Sequence, residues 1–293
     1  MKKTVIFILV FIATNIAMQS LGQESEKSNL QTYTPSVLLN KGQIEVQFFN
    51  NIYTQTSYSD ATGEHIDLNG RSSYYTGFTR FLIGVSKSSK INVGFDINLK
   101  SVRNDPDEKS SFFKVLKFGN DSISRTTLTS IGPKIKFTPF NKVKGFSIQS
   151  AFWIPVANDM EGKENGKPWL AWDRYTWWNQ FFYDRTLSSK FQIFAEADLL
   201  FRFEKDFELK NTMLEIPVSA FVNYFPTKNA TLYAMAQYSP TVTSSSTFYT
   251  QIGIGGKYQI TKHLNIELLY TDFILSKNSG TGQTFNLGLR FIN

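Results

Sequence analysis

Between Phe191 and Phe203 the chain reads FQIFAEADLLFRF. One parity (Phe191, Ile193, Ala195, Ala197, Leu199, Phe201, Phe203) is apolar throughout, while the other (Gln192, Phe194, Glu196, Asp198, Leu200, Arg202) carries three charges. Successive strand side chains point to opposite faces, so the pattern predicts a strand with one greasy face and one partly ionic face. It recurs from Ile44 onward in about twelve segments, each near the ten or so residues a tilted strand needs to cross a bilayer. INVGFDINLK (91–100) sets Ile91, Val93, Phe95, Ile97 and Leu99 against Asn92, Asp96, Asn98 and Lys100. TFNLGLRFIN (284–293) sets Phe285, Leu287, Leu289 and Phe291 against Asn286 and Arg290. The others are IEVQFFNNIY, YYTGFTRFLIGV, SIGPKIKF, FSIQSAFWIP, DRYTWWNQFFY, MLEIPVSAFVNY, TLYAMAQY, YTQIGIGGKY and LNIELLY.

The connections alternate in length. Short ones fall at 86–90, 140–145, 187–190, 225–229 and 260–263, and longer polar ones at 59–72, 104–123, 157–169, 204–211, 241–247 and 275–282. Five short turns and six longer loops are what twelve antiparallel strands need when both termini lie on the short-turn side. A soluble β-sandwich also has two-faced strands, but it has no reason to alternate its loops so regularly. Charge sorts the same way: Lys87, Lys90, Lys142, Lys144, Lys190, Lys228 and Lys262 sit in the short turns, and most acids outside the strands sit in the long loops. The expected fold is therefore all-β, a transmembrane antiparallel up-and-down β-barrel of about twelve strands over residues 43–293, with periplasmic turns and acidic outer loops.

Compartment follows from the start of the chain. Met1-Lys2-Lys3, then an apolar run from Thr4 to Ala17, then small and polar residues to Gly22, reads as a signal peptide over 1–22. Residues 23–42 read as a flexible periplasmic lead-in. No later run approaches about 18 apolar residues, so no helix is expected to span a membrane. The absence of cysteine excludes disulfides, thiol nucleophiles and a lipoprotein anchor. An exported chain without cysteine suggests a bacterial envelope protein, expected in the outer membrane. Abundant Phe (27) and Tyr (13) with slightly polar mean hydropathy suit a barrel better than a helical bundle. The net charge of +7, or +5 once Lys2 and Lys3 leave with the signal, would suit nucleic acid, but the lysines are scattered and form no basic stripe.

On this rhythm, over residues 43–293, the chain resembles bacterial outer-membrane β-barrels of the porin-like kind. In overall length and strand rhythm it is similar to the MetA-pathway phenol-degradation family, proposed outer-membrane transporters. The resemblance implies insertion by the barrel-assembly machinery among outer-membrane lipids and lipopolysaccharide, and small solutes as permeants. Barrels of this class commonly end on an aromatic residue; here Phe291 is followed by Ile292 and Asn293.

The candidate chemistry is electrostatic. Lumen-facing charges expected to matter are Asp96, Lys134, Lys136, Arg174, Glu196, Asp198, Arg202 and Glu215, with Arg174, Glu196, Asp198 and Glu215 as one cluster on neighbouring strands. Either they line a channel that selects by charge, or they neutralise one another in a filled interior. Eight strands enclose only side chains and sixteen leave an aqueous channel, so twelve admits both. Trp153, Trp172, Trp177 and Trp178 read as an interfacial aromatic girdle or as a stacking platform for solutes, Trp178 above all, since its parity matches that of Arg174. The acidic stretch 158–166, with Asp159, Glu161 and Glu164, reads as a solvated loop or a calcium loop, without EF-hand spacing. No cofactor or metal site is expected, since His65 and His263 should lie at opposite ends of the barrel and nothing pairs with either. No catalytic motif appears. The expected function is passive passage of small hydrophilic or aromatic solutes. The alternative is a non-conducting barrel acting as anchor or surface binder, and a hydrolase would need a nucleophile near His65.

Overall fold

The computed structural model describes residues 29–32, 34–140, 142–164, 166–205, 211–242 and 246–293, so the segment read as a signal peptide lies outside the described residues. Its strands are β1 (Ile44–Ser59), β2 (His65–Gly84), β3 (Ile91–Asp105), β4 (Ser124–Phe137), β5 (Phe146–Pro155), β6 (Tyr175–Thr186) and β7 (Phe191–Phe203). They continue as β8 (Val218–Thr227, preceded by the short strip Met213–Glu215), β9 (Ala230–Val242), β10 (Thr247–Gln259), β11 (Leu264–Lys277) and β12 (Gln283–Ile292). Each pairs antiparallel with its sequence neighbours, and β12 returns to β1 in the register Phe291↔Val46 to Gln283↔Thr54. The sheet closes on itself as an antiparallel barrel of twelve strands, which leaves no free edge.

The inside and outside are chemically inverted relative to a soluble fold. Large apolar side chains stand exposed around the wall, among them Phe48, Phe95, Ile135, Val222, Ile254 and Leu268. Buried inside are Asn92, Asp96, Lys134, Gln149, Gln180 and Asn265. Such a belt left in water would forfeit on the order of tens of kcal/mol at roughly 25 cal/mol per Å². Facing acyl chains it costs nothing, so the parity read along the chain is that of a lipid-facing wall around a polar lumen.

Three local features differ from the strand rhythm. The first outer link is only Asp60–Glu64, because β1 and β2 continue as a polar hairpin, sealed where Asp60 Oδ1 accepts from the Thr62 amide (2.8 Å) and hydroxyl (2.7 Å). Polar residues there signalled solvent, and solvent-exposed strands above a bilayer are just as polar. The last outer link is likewise shortened by β11, with Ser279–Gly280 bridging back to the tip of β1. Finally, the segment 213–224 is interrupted at Ile216–Pro217: Pro217 has no N–H to give the ladder, and its carbonyl instead accepts the Asp198 amide at 2.8 Å.

The stretch before β1 is built into the barrel. From Thr34 onward its buried side chains include Thr34, Ser36, Leu38 and Leu39, and Leu39 packs with Leu82 of β2 and Ile292 of β12. Residues expected to be a flexible lead-in thus occupy the periplasmic mouth as far as they are described. The reason is a seat supplied by distant strands: apolar Leu82 and Ile292 on the lumen parity, and polar partners deeper in.

Candidate functional site: a lumen divided at Glu196

Alternating strands deliver polar side chains inward at every level, and their pairing sets the geometry. At mid-height on β3 and β4, Asp96 accepts from Lys134 and, at 3.0 Å, from the Trp153 indole N–H, with Arg80 at 3.7 Å. Asp96 and the Lys134 side chain are fully buried, and both Asp96 oxygens are satisfied, one by Lys134 and one by Trp153, whereas Arg80 Nε is buried without a hydrogen-bond partner. The Phe78 ring lies beneath both cations, 4.9 Å from the Arg80 guanidinium and 5.2 Å from Lys134 Nζ. Toward the outer rim, Arg202 pairs with Glu215 at 2.5 Å. Near the periplasmic end Arg290 pairs with Glu45 at 2.5 Å, and Lys257 with Glu267 at 3.3 Å.

The expected cluster of Arg174 with Glu196, Asp198 and Glu215 does not form as such. Arg174 precedes β6 and reaches outward to Glu204 (2.9 Å) and the Asn211 carbonyl (2.6 Å), while Glu215 is taken by Arg202. Side-chain reach across the rim decides this, not strand parity. Glu196 and Asp198, two residues apart on β7, are left facing the lumen together. Gln180 Nε2 donates to Glu196 at 2.6 Å, and the Trp178 indole N–H donates to Asp198 Oδ2 at 2.9 Å.

The tryptophans divide by position. Trp177 is exposed on the wall, its N–H on the Ser150 hydroxyl at 2.9 Å, as a girdle residue would be. Trp153 and Trp178 are inside, 5.0 Å apart edge-to-face, and Phe78 adjoins both. Trp153 points inward because β5 carries Ser147, Gln149 and Ala151 on its buried parity. Trp172 belongs to the outer link between β5 and β6, where Trp169 meets it at 5.6 Å and the Arg174 guanidinium lies 5.8 Å away. That link folds into the outer mouth: Met160, Leu170 and Ala171 are buried, and the Leu170 amide donates to the Met160 carbonyl at 2.9 Å.

Among the described residues the lumen holds at least three chambers. The periplasmic one, about 310 Å³, is bounded below by Leu30, Thr34 and Pro35 and carries Arg80, Lys136, Lys257 and Arg290. An outer chamber of about 450 Å³ runs along β2–β6 and holds Arg80, Lys100, Arg174 and Arg202. A second outer chamber, about 630 Å³, lies against β1 and β7–β12. Phe49, Gln180 and Glu196 border all three, so they form the waist.

The N-terminal segment stops the periplasmic chamber through polar contacts that sequence reading missed. Lys136 Nζ donates to the carbonyls of Pro35 (2.6 Å) and Val37 (2.8 Å). Thr34 and Ser36 donate to Asp184 Oδ2, the former at 2.8 Å. Leu82 and Ile292, apolar at lumen positions near strand ends, were the one sequence signal for it. Gln149 and Gln180, cross-strand partners whose side chains bond each other, also escaped notice because neither is charged.

The remaining candidates stay apart. Glu161 binds Lys163 at 2.5 Å, Asp159 Oδ1 accepts the Glu164 amide at 3.2 Å, and among the described residues no three acidic or histidine side chains converge on a metal position. His65 opens β2 at the outer side, and His263 lies in the last short turn, its Nδ1 2.8 Å from the Ile292 carbonyl.

The fold is shared with solved structures. An outer-membrane channel from Pseudomonas putida F1 superposes with a TM-score of 0.66 at 10% identity, over 88% of this chain and 97% of that one. The β-domain of a Bordetella autotransporter superposes with a TM-score of 0.56 at 11% identity, over 86% of this chain and 99% of that one. No protein-family model and no curated protein matches the sequence. At such identities the likeness concerns the fold, and with the inverted wall it defines the class: a bacterial outer-membrane β-barrel, porin-like in architecture.

Proposed function

We propose that the barrel is a porin-like channel for small solutes, hydrophilic or aromatic, held closed at rest by its own N-terminal segment. The observation that carries this reading is the series of chambers meeting at Phe49, Gln180 and Glu196, lined by charges of both signs. An interior filled only to stabilise the wall would not keep cavities of hundreds of Å³ on the axis. Outer-membrane lipids and lipopolysaccharide would surround the wall, and the barrel-assembly machinery would insert it. The stopped mouths favour one second reading, a non-conducting barrel that works as an anchor or through its outer loops. An enzyme is not part of the proposal, since the histidines stand at opposite ends.

Planar-bilayer recording separates the readings. The chain from Gln23 to Asn293 should give small discrete steps, and a chain starting at Gln43 should give larger ones. Glu196→Gln should shift ion selectivity toward anions. Two folded proteins that give no steps would overturn the channel and leave the anchor.

A further inference from the structure

We infer that the larger outer chamber is a binding site for an organic cation, an ammonium group carried on an apolar or aromatic body, seated at Glu196 and Asp198. This deepens the channel reading and rests on it for its physiological use, though the site stands on its own geometry.

The charge inventory of the chambers differs sharply. The 630 Å³ chamber is bordered by two carboxylates and by no Lys or Arg among the described residues, whereas each of the other two carries four basic side chains. Eight aromatic rings border it, including Phe49, Tyr53, Trp178, Phe221, Tyr249 and Phe273. Aromatic faces attract cations, and do so most when water is excluded. Ligand pockets in general combine apolar walls with a few convergent polar groups.

The carboxylates are also unfinished. Asp198 is 6% exposed, and its Oδ1 is buried without a donor from the protein. Glu196, two residues before it on β7, turns its carboxyl into the same chamber, so the two acids crowd one level of the lumen. The nearest cations lie outside this chamber: Arg80 is 3.7 Å from Asp96, and Lys136 holds the Pro35 and Val37 carbonyls. A buried acceptor without a donor is costly, and an ammonium with several N–H groups answers both oxygens at once. The interruption of β8 contributes, because the Pro217 carbonyl takes the Asp198 amide and so fixes β7 at this level.

The test is calorimetric titration of the folded, detergent-solubilised chain with phenethylammonium, 2-phenylethanol and phenylacetate. These share a ring and a two-carbon or shorter arm and differ in charge. The cation should bind at least about tenfold more tightly than the alcohol, and the anion more weakly still. The pair Glu196→Gln and Asp198→Asn should abolish the preference while the barrel keeps its heat-modifiable migration on gels. A folded wild type that binds the cation no better than the alcohol overturns the site, and so does a preference that survives in the double variant. Selective binding in a barrel that carries no current upholds the site and rejects the channel.

Discussion

Replacing Lys136 by Met should release the N-terminal segment from the periplasmic mouth. The lysine is buried, and its ammonium makes two charge-assisted bonds, to Pro35 at 2.6 Å and Val37 at 2.8 Å. Bonds to charged groups contribute about 1.5–3 kcal/mol each net of exchange with water, and because both share one ammonium they do not fully add, so the loss is about 2–4 kcal/mol. At about 1.4 kcal/mol per tenfold, the undocked population rises roughly thirty- to several-hundred-fold. The chain has no cysteine, so Ser36→Cys supplies a single thiol in the seat. Its labelling by a bulky maleimide reports how often the segment leaves, and Ser36→Cys alone is the control for losing the bond to Asp184. Labelling should accelerate by the stated factor in Lys136→Met, and conductance should rise in parallel. A rate unchanged within twofold would show that Leu39, Leu82 and Ile292 hold the segment without the lysine, and the assigned magnitude would be refuted.

Trp178→Phe keeps the ring but removes the donor to Asp198 Oδ2, leaving that carboxylate with no indole partner; a loss of about 1–3 kcal/mol should appear as a lower barrel-melting temperature on gels. Gly132→Ala should block assembly, because the added Cβ would collide with the Phe152 carbonyl where the β4–β5 ladder lapses at Pro133; failure to acquire heat-modifiable migration is the readout. In the outer link after β3, the Ser124 hydroxyl and then the Ile123 amide hold Asp121 below the usual carboxylate range. Its contribution is therefore full above that range and is lost as the pH falls through the lowered value, so an NMR titration should show the 121–124 turn loosening only in acid, and Asp121→Asn should remove the dependence.

How much of this was legible follows from the range of the interactions. The alternation of Phe191 to Phe203 is local, and closure of such strands into a barrel with Asp96 and Lys134 inside follows from parity and loop count. The seat of the N-terminal segment is different: Lys136 and Pro35 are 101 residues apart, and nothing near either announces the other. Arg174 borders the outer chamber but stays out of the expected cluster for a related reason, since parity describes strands and this residue lies just before one and reaches Glu204. The hairpin formed by β1 and β2 was hidden because a strand above the bilayer is polar on both faces. Clustering in sequence groups the tryptophans and only the parity of Trp178 points inward, whereas register divides them, sending Trp153 and Trp178 inward and Trp177 out.

The two stopped mouths are unequal obstacles. The outer link between β5 and β6 is anchored at both ends to strands, and withdrawing it would expose Met160 and Leu170, both almost fully buried, and break the backbone bond between them. The burial alone is worth about 1.5–3 kcal/mol per large side chain, and loop closure already limits how far the link can travel. The periplasmic segment runs into the wall at Ile44, with Gly42 and Gln43 also bonded to the Gly84 backbone. Its seat combines apolar contacts, with Leu39 in the buried cluster, Val37 against it and Leu30 and Leu38 also buried, with polar ones to Lys136 and Asp184, groups that water can serve as well. In the proposed channel, a solute moving inward would therefore meet the outer constriction first, where the chambers and Glu196 would select it. It would then meet an inner stop held in part by polar bonds that water can replace. For the proposed channel, selection at the outer side and release at the inner side is the order that this distribution of bonds favours.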